Sequence, residues 1–244
     1  HQHGAMYHKK LGGSPLTGAE GDRRIRPKSK ETPFRFGWHT PFVISHYNPM
    51  TLFVGGNKLL KSVDKGEHWS EVSPEFSPQP ELGNRAPAPL GVITSISESR
   101  LQQGLVYVGL DNGEVHRTSN GGHTWTSCNT GLPGKWVSRI VASQHDLGTV
   151  YLSQTGYRED DFSTYLFRSN DYGATWESIA NNLPAESVNV VREDTRSGEV
   201  LYVGTDLGVY VSINQGNSWQ SLCTSLPTTP VHDLAFHPIE HKLV

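Results

Sequence analysis

The sequence predicts an all-β protein, a β-propeller of four-stranded antiparallel blades, and three observations support this. The chain of 244 residues contains 25 Gly, 15 Pro and 6 Trp, which is typical of many turns and heavy aromatic packing. Short runs of β-branched and aromatic residues recur between turn residues, which indicates strands. A motif that ends in Trp occurs four times, at intervals of 56, 51 and 43 residues. That is about the length of one blade, as in WD40-like propellers.

The repeated unit explains why a propeller is favoured over other all-β folds. A single four-stranded sheet cannot bury both of its faces, whereas radial stacking of such sheets buries them and leaves only short edges. An antiparallel sandwich is the alternative, because the number of strands does not exclude it. The same turn chemistry in every unit favours the propeller.

The motif reads Ser/Thr-x-Asp/Asn-x-Gly-x-polar-Trp, and each residue type suits a turn between two strands. Asp or Asn accepts backbone N–H groups, Gly permits a positive φ, and Trp buries a large apolar area. We therefore expect the motif to serve the fold. Its positions are Ser62, Asp64, Gly66 and Trp69; Thr118, Asn120, Gly122 and Trp125; Ser169, Asp171, Gly173 and Trp176; and Ser212, Asn214, Gly216 and Trp219.

Calcium binding by Asp64 and Asp171 is the alternative interpretation of the motif. It is disfavoured because the other two copies carry the neutral Asn120 and Asn214, and a calcium loop depends on its carboxylates. No other cluster has the spacing of metal ligands, and no cofactor-binding fingerprint is present. The sequence therefore predicts neither a metal site nor a cofactor.

Each motif follows a strand-like run about ten residues upstream. A further run leads from that one into the motif, and another precedes both. With the strand after the Trp, each unit holds four strands, A to D. We expect four blades within residues 36–230, a remnant of a preceding blade in 1–35, and the first strand of a following blade in 231–244. The segment would then belong to a larger propeller, of seven or more blades, whose other blades are its partners. The four blades cover about 40–73, 91–131, 136–184 and 187–227.

The motif resembles the Asp-box, or BNR repeat, which is found in sialidases, xyloglucan-cleaving glycoside hydrolases, sortilin-type receptor domains and photosystem II assembly factors. The segment Gly156-Tyr-Arg-Glu-Asp-Asp-Phe162 and the motif after it are similar to sortilin-like bacterial proteins often labelled glycosyl hydrolases. The resemblance implies a propeller over 40–227 and a periplasmic or secreted location. It implies little about activity, because these relatives perform different functions on one scaffold.

Charge and hydropathy exclude some functions. The 21 Lys and Arg residues against 24 Asp and Glu give a net charge of -3. Binding to nucleic acid or to an anionic membrane surface requires a positive field, so neither is expected. No apolar run approaches the roughly 20 residues of a membrane-spanning helix.

The B–C connection of the third blade is the candidate functional loop. The interval from the strand B aromatic to the motif is 18 residues there, from Tyr151 to Ser169, against 9 to 11 in the other blades. Insertions on one face of a repeat array are a common place for function. The loop is either a solvated segment with local ion pairs, a binding site for a cation or a basic peptide, or a source of catalytic carboxylates. Its residues are Tyr157, Arg158, Glu159, Asp160 and Asp161.

Two functions remain open. The first, which we favour, is a non-catalytic module that binds a peptide or a glycan. The second is a glycoside hydrolase acting on a plant-type polysaccharide such as xyloglucan, so enzyme activity stays undecided. Hydrolysis needs two carboxyl groups on opposite sides of a bond, hence a partner acid from another blade. The candidates are Asp111, Glu114 and Asp206, and the two Trp outside the motif, Trp38 and Trp136, are candidate sugar platforms.

Overall fold

The computed structural model describes residues 4–9, 22–28, 33–78, 91–222, 228–237, 240 and 242–244. Residues 79–90 and much of the predicted blade remnant in 1–35 lie outside these residues. No helix in the described ranges has the length and apolarity needed to span a membrane. Contacts divide the chain into two compact units, 1–93 and 94–244.

Four antiparallel four-stranded sheets form, each with its strands in chain order. They agree with the predicted fold class of four-stranded antiparallel sheets, and the four strands of each sheet are labelled A to D in chain order. The sheets are β3 (Phe42–Ile44), β4 (Leu52–Gly55), β5 (Leu59–Ser62) and β6 (Ser70–Glu71); β7 (Ile93–Glu98), β8 (Val106–Leu110), β9 (Val115–Thr118) and β10 (Thr126–Ser127); β11 (Trp136–Ala142), β12 (Val150–Gly156), β13 (Asp161–Ser169) and β14 (Glu177–Ser178); and β15 (Val188–Glu193), β16 (Leu201–Thr205), β17 (Val209–Ser212) and β18 (Gln220–Ser221).

In the unit 1–93, an additional hairpin packs beside the first sheet. It consists of β1 (Tyr7–Lys9) and β2 (Asp22–Arg24), which pair antiparallel. Ile25, just after β2, donates its N–H to the carbonyl of Met6 at 3.1 Å. Val72, just after β6, makes the same bond to Leu59, so this hairpin has the backbone pattern of a C–D strand pair.

In the unit 94–244, the three sheets pack on one another in chain order. A Cβ added to Gly109 of β8 would lie 2.3 Å from Val137 of β11, so the strand B glycine permits close approach of the next sheet. Apolar side chains fill the space between sheets, and Tyr107 of the second sheet and Ile140 of the third share one cluster. The next cluster joins the third and fourth sheets and includes Tyr151, Leu166, Val191 and Val203.

The predicted insertion in the third blade is only partly a loop. Strand β12 has 7 residues and β13 has 9, and the two remain paired as far as Gly156 and Asp161. Most of the extra residues therefore lengthen the B–C hairpin, and a short 3-10 turn at Tyr157–Glu159 closes it together with Asp160. Asp161, expected in the loop, is the first residue of a strand.

Residues after the fourth sheet begin a further antiparallel pair. Val231 donates its N–H to the carbonyl of Thr205 at 2.8 Å, and an isolated bridge joins Phe236 to Leu243. The N–H of His237 donates to the carbonyl of Lys242, as the N–H of Ser143 does to the carbonyl of Thr149 at the A–B turn of the third blade. No strand is formed among the described residues of 231–244, although this pairing has the direction of an A–B hairpin.

Candidate functional site

The motif residues form a closed set of short-range hydrogen bonds. In the third blade, Ser169 Oγ accepts the N–H of Gly173 at 2.8 Å and donates to Asp171 Oδ1 at 2.7 Å. The same Oδ1 accepts the N–H of Thr175 at 2.9 Å. Bonds from Thr175 and Ser169 lower the pKa of Asp171 to about 2. Hydrogen bonds within the turn therefore occupy both Ser169 Oγ and Asp171 Oδ1.

The copies with Asn make the same bonds as the copies with Asp. Asn120 Oδ1 accepts from Thr118 Oγ1 and from the N–H of Thr124, each at 2.9 Å. Asn214 Oδ1 accepts from Ser212 Oγ and from the N–H of Ser218, each at 2.9 Å. A carboxylate charge is therefore not needed for the turn, which accounts for the presence of either residue type.

The candidate hairpin of the third blade is attached to the segment that enters strand A of the same blade. Lys135 Nζ lies 2.5 Å from Glu159 Oε2 and 3.2 Å from Asp161 Oδ2. Tyr165 Oη donates to Asp161 Oδ2 at 2.7 Å, and the N–H of Ser163 donates to Oδ1 at 3.0 Å. These hydrogen bonds, that of Tyr165 first, hold the pKa of Asp161 well below its usual range.

Arg158 covers one face of Trp136. The guanidinium carbon lies 3.7 Å from the centroid of the indole, which is a cation–π contact. Burial lowers the pKa of Arg158, and the nearby charge of Asp111 opposes that shift. Trp136, predicted as a sugar platform, thus lies half-buried with one ring face occupied by a side chain of the hairpin. Trp38, the other predicted platform, belongs to the unit 1–93 and is 56 % exposed.

Two aromatic side chains are exposed at the tip of the hairpin. Tyr157 is 60 % exposed and Phe162 is 52 % exposed, and their rings meet edge to face with centroids 6.2 Å apart. Asp160 takes the left-handed conformation, with φ 55°, that turns the chain between them. Sequence reasoning did not select Phe162 or Lys135. Phe162 could have been selected as the aromatic residue directly after the acidic run, whereas no pattern in the sequence marks Lys135.

The three acids considered as catalytic partners for the hairpin are hydrogen-bonded to other side chains or buried. Glu114 Oε1 accepts from Asn112 at 2.9 Å, and Asp206 Oδ1 accepts from Asn189 at 2.9 Å. Asp111 is buried. Across the described ranges, no three His, Cys, Asp or Glu side chains are grouped as they would be to hold a metal ion.

Comparisons with solved structures give the same architecture. A GH74 xyloglucanase from Xanthomonas campestris aligns with a TM-score of 0.54 at 18% identity, over 75% of this chain and 30% of that one. The extracellular domain of a putative one-component system from B. thetaiotaomicron aligns with a TM-score of 0.58 at 14% identity, over 99% and 30%. The Cps50 (Swd1) β-propeller domain of Myceliophteria thermophila aligns with a TM-score of 0.57 at 11% identity, over 84% and 60%. The fold is that of a β-propeller.

A sequence-level match covers the end of this propeller chain. The family model Sortilin-Vps10, described as sortilin, neurotensin receptor 3, matches residues 164–244. The predicted resemblance to sortilin-like propellers is thereby confirmed. No curated protein matches the chain. The chain spans 30% of the length of the xyloglucanase and of the B. thetaiotaomicron domain.

Proposed function

We propose that the chain is a non-catalytic binding module, and that its ligand, a peptide or a glycan, contacts the tip of the B–C hairpin in the third blade. The exposed pair of Tyr157 and Phe162 carries this proposal. Large apolar rings seldom stay exposed together without a partner, because their burial is favourable. Both peptides and sugars offer the apolar groups that pack on such rings.

The base of the hairpin supports the same function. Lys135 bonds to Glu159 and Asp161, and Arg158 stacks on Trp136. These contacts hold the tip in one position before any ligand arrives. A preformed site loses less conformational entropy on binding, so it favours affinity.

Glycoside hydrolysis is less well supported by the chemistry of the hairpin. A general acid needs a pKa raised towards neutrality. The pKa of Asp161 is shifted the other way, and Glu159 is paired with Lys135. The GH74 neighbour shares the fold at 18% identity, and a shared fold does not carry an activity with it.

The proposal extends to the remaining organisation. The sixteen motif residues serve the turns between strands C and D and the packing of successive blades. The hairpin β1–β2 is the C–D pair of a preceding blade, and 231–244 begins a following one. Further blades of a longer chain would then complete the propeller, in a periplasmic or secreted protein.

Screening of the chain against a glycan array and a peptide library tests the binding proposal. The double variant Tyr157→Ala/Phe162→Ala should lose the ligands that the unaltered chain retains. The matched control is Ile213→Ala, which removes a 67 % exposed side chain from the turn after β17 in the fourth sheet, at the end of the blades opposite the B–C hairpin tip. This variant should bind normally. Retention of every ligand by the double variant would refute the proposal.

A further inference from the structure

A polar cavity of about 290 Å³ lies between the third and fourth sheets, at the end where the A–B turns and the motifs are found. The candidate hairpin tip is at the other end of the third sheet, so this cavity is separate from the proposed ligand site. Its lining includes Ser143, Thr149, Tyr151, Arg168, Asn170 and Glu193.

The cavity exists because the fourth blade differs from the third at one motif position. Between the second and third sheets, the ring of Tyr172 packs against Arg117, with 5.5 Å from the guanidinium carbon to the centroid. Gln215 takes the place of Tyr172 in the next motif, and Arg168 takes the place of Arg117. Arg168 Nη1 donates to Gln215 Oε1 at 3.0 Å. The smaller side chain leaves open the space that a tyrosine ring would fill.

A second difference gives the cavity its charge. Ala142 at the end of β11 and Glu193 at the end of β15 occupy equivalent positions, since each pairs with the first strand B residue of its sheet, Val150 or Leu201. Glu193 is only 5 % exposed. Ser143 Oγ donates to its Oε1 at 2.6 Å, and the N–H of Gln144 donates to its Oε2 at 2.7 Å.

Glu193 has hydrogen bonds but forms no ion pair in the part of the chain that the structure describes. Two basic side chains of the described residues line the cavity. Arg168 is paired with Glu177, and the Nε2 of His145 lies 2.8 Å from the backbone carbonyl of Asp194. Asp146, which also lines the cavity, forms no ion pair within the described ranges and accepts the N–H of Gly148 at 2.8 Å. A buried carboxylate is costly unless an opposite charge accompanies it. The cavity therefore lacks one positive group.

We propose that this cavity binds a primary ammonium group, either of a lysine side chain or of a small free amine. Glu193 supplies the counter-charge. An ammonium group has three N–H donors and no acceptor. Tyr151 Oη, which donates to Glu193 Oε1 at 3.4 Å, and Thr149 Oγ1, which donates to Asn170 Oδ1 at 3.2 Å, each keep oxygen lone pairs that can accept from it in the same lining. The volume is near the lower limit of ligand pockets, which suits a chain end rather than a large molecule.

Calorimetric titration of the whole chain with n-butylammonium chloride and with Nα-acetyl-lysine N-methylamide tests the proposal. Saturable binding of both probes supports recognition of the ammonium group itself, and binding of the lysine derivative alone supports a peptide source. Glu193→Gln keeps the shape of the side chain and should weaken binding at least about tenfold, because the charged partner is lost. 1-Butanol, without the charge, should not bind.

Two variants separate this site from the general packing of the blades. Gln215→Tyr should fill the cavity and abolish binding. This variant keeps Glu193, so it tests the proposal independently if Glu193→Gln does not fold. The matched control Tyr172→Gln opens the preceding junction, where Ala142 offers no carboxylate, and should leave the number of ammonium sites unchanged. Absence of binding by both probes, or equal affinity in Glu193→Gln, would overturn the proposal.

Discussion

The indole Nε1 of Trp176 donates to the backbone carbonyl of Cys128 at 2.8 Å, from the motif of the third blade to the residue just after strand D of the second. Trp219 makes the equivalent bond to Ile179 at 2.7 Å. Trp69 makes it to Ile25 at 2.8 Å, within the unit 1–93. The motif therefore closes its own turn and also attaches each of these turns to the preceding strand pair.

Replacement of Trp176 by Phe should destabilise the protein, since it removes the indole hydrogen bond and part of the packed ring. We expect a loss of about 2–3 kcal/mol in the free energy of unfolding, measured by denaturant titration. Trp38→Phe, a change at an exposed indole outside the motif, should cost clearly less. Equal losses in the two variants would contradict the attachment role of the motif Trp.

The motif glycines should be intolerant of a methyl group for two reasons that can be separated. Gly216 has φ 86°, and a Cβ there would lie 2.8 Å from Cδ1 of Ile179. Gly131 has φ 84° with nothing within 4 Å of an added Cβ. Both alanine variants carry the backbone strain, so Gly216→Ala should lose about 1 kcal/mol or more beyond Gly131→Ala. A smaller loss for Gly216→Ala would show that the close approach is unimportant.

Acid should weaken the fold through Asp171 in a defined range of pH. Its folded-state pKa is lowered to about 2, below the value of about 3.9 in unfolded chains. The stabilisation is therefore complete above about pH 4 and is lost as the pH falls towards 2, because the unfolded state binds the proton more readily there. Asp171→Asn, which imitates Asn120 and Asn214, should remain folded.

Thermal unfolding followed between pH 2 and 5 measures this effect. The unfolding temperature should decline less steeply in Asp171→Asn than in the unaltered chain over that range. Identical profiles would mean that Asp171 does not titrate as its hydrogen bonds require.

The fold class was predictable from the sequence, because the chemistry of each unit is local. The motif turn depends on Ser169, Asp171 and Gly173, which are near one another in the sequence. The length of the third hairpin was not predictable in this way. Residues after Gly156 either form a loop or continue the strands, depending on whether Gly156 pairs with Asp161. The amino-acid sequence of this segment is compatible with both.

The contacts of the candidate site were beyond the reach of the sequence because they join distant positions. The stacking of Arg158 on Trp136 and the ion pairs of Lys135 connect a hairpin tip to the start of strand A. Composition and motif spacing do not predict contacts between residues so far apart in the sequence. The cavity beside Glu193 depends on what packs around Gln215 and Tyr172, which occupy equivalent motif positions.

Lys135→Met should loosen the hairpin of the third blade without unfolding the sheets, because it removes the cation shared by Glu159 and Asp161. Amide hydrogen exchange should accelerate in residues 157–165 and remain unchanged in the second and fourth blades. Lys58→Met, which breaks the ion pair with Glu71 in the first sheet, is the control and should leave 157–165 protected. Unaltered exchange at the hairpin in Lys135→Met would show that the ion pairs do not hold it.

Hydrogen exchange of the indole N–H groups, resolved by ¹⁵N NMR, tests most directly whether the motif joins successive blades in the same manner. The signals of Trp69, Trp176 and Trp219 should exchange slowly and with similar protection, since each bonds to a backbone carbonyl in an equivalent place. Exchange of these three signals at the rate of free tryptophan, or at widely different rates, would contradict the repeated architecture on which the proposed function rests.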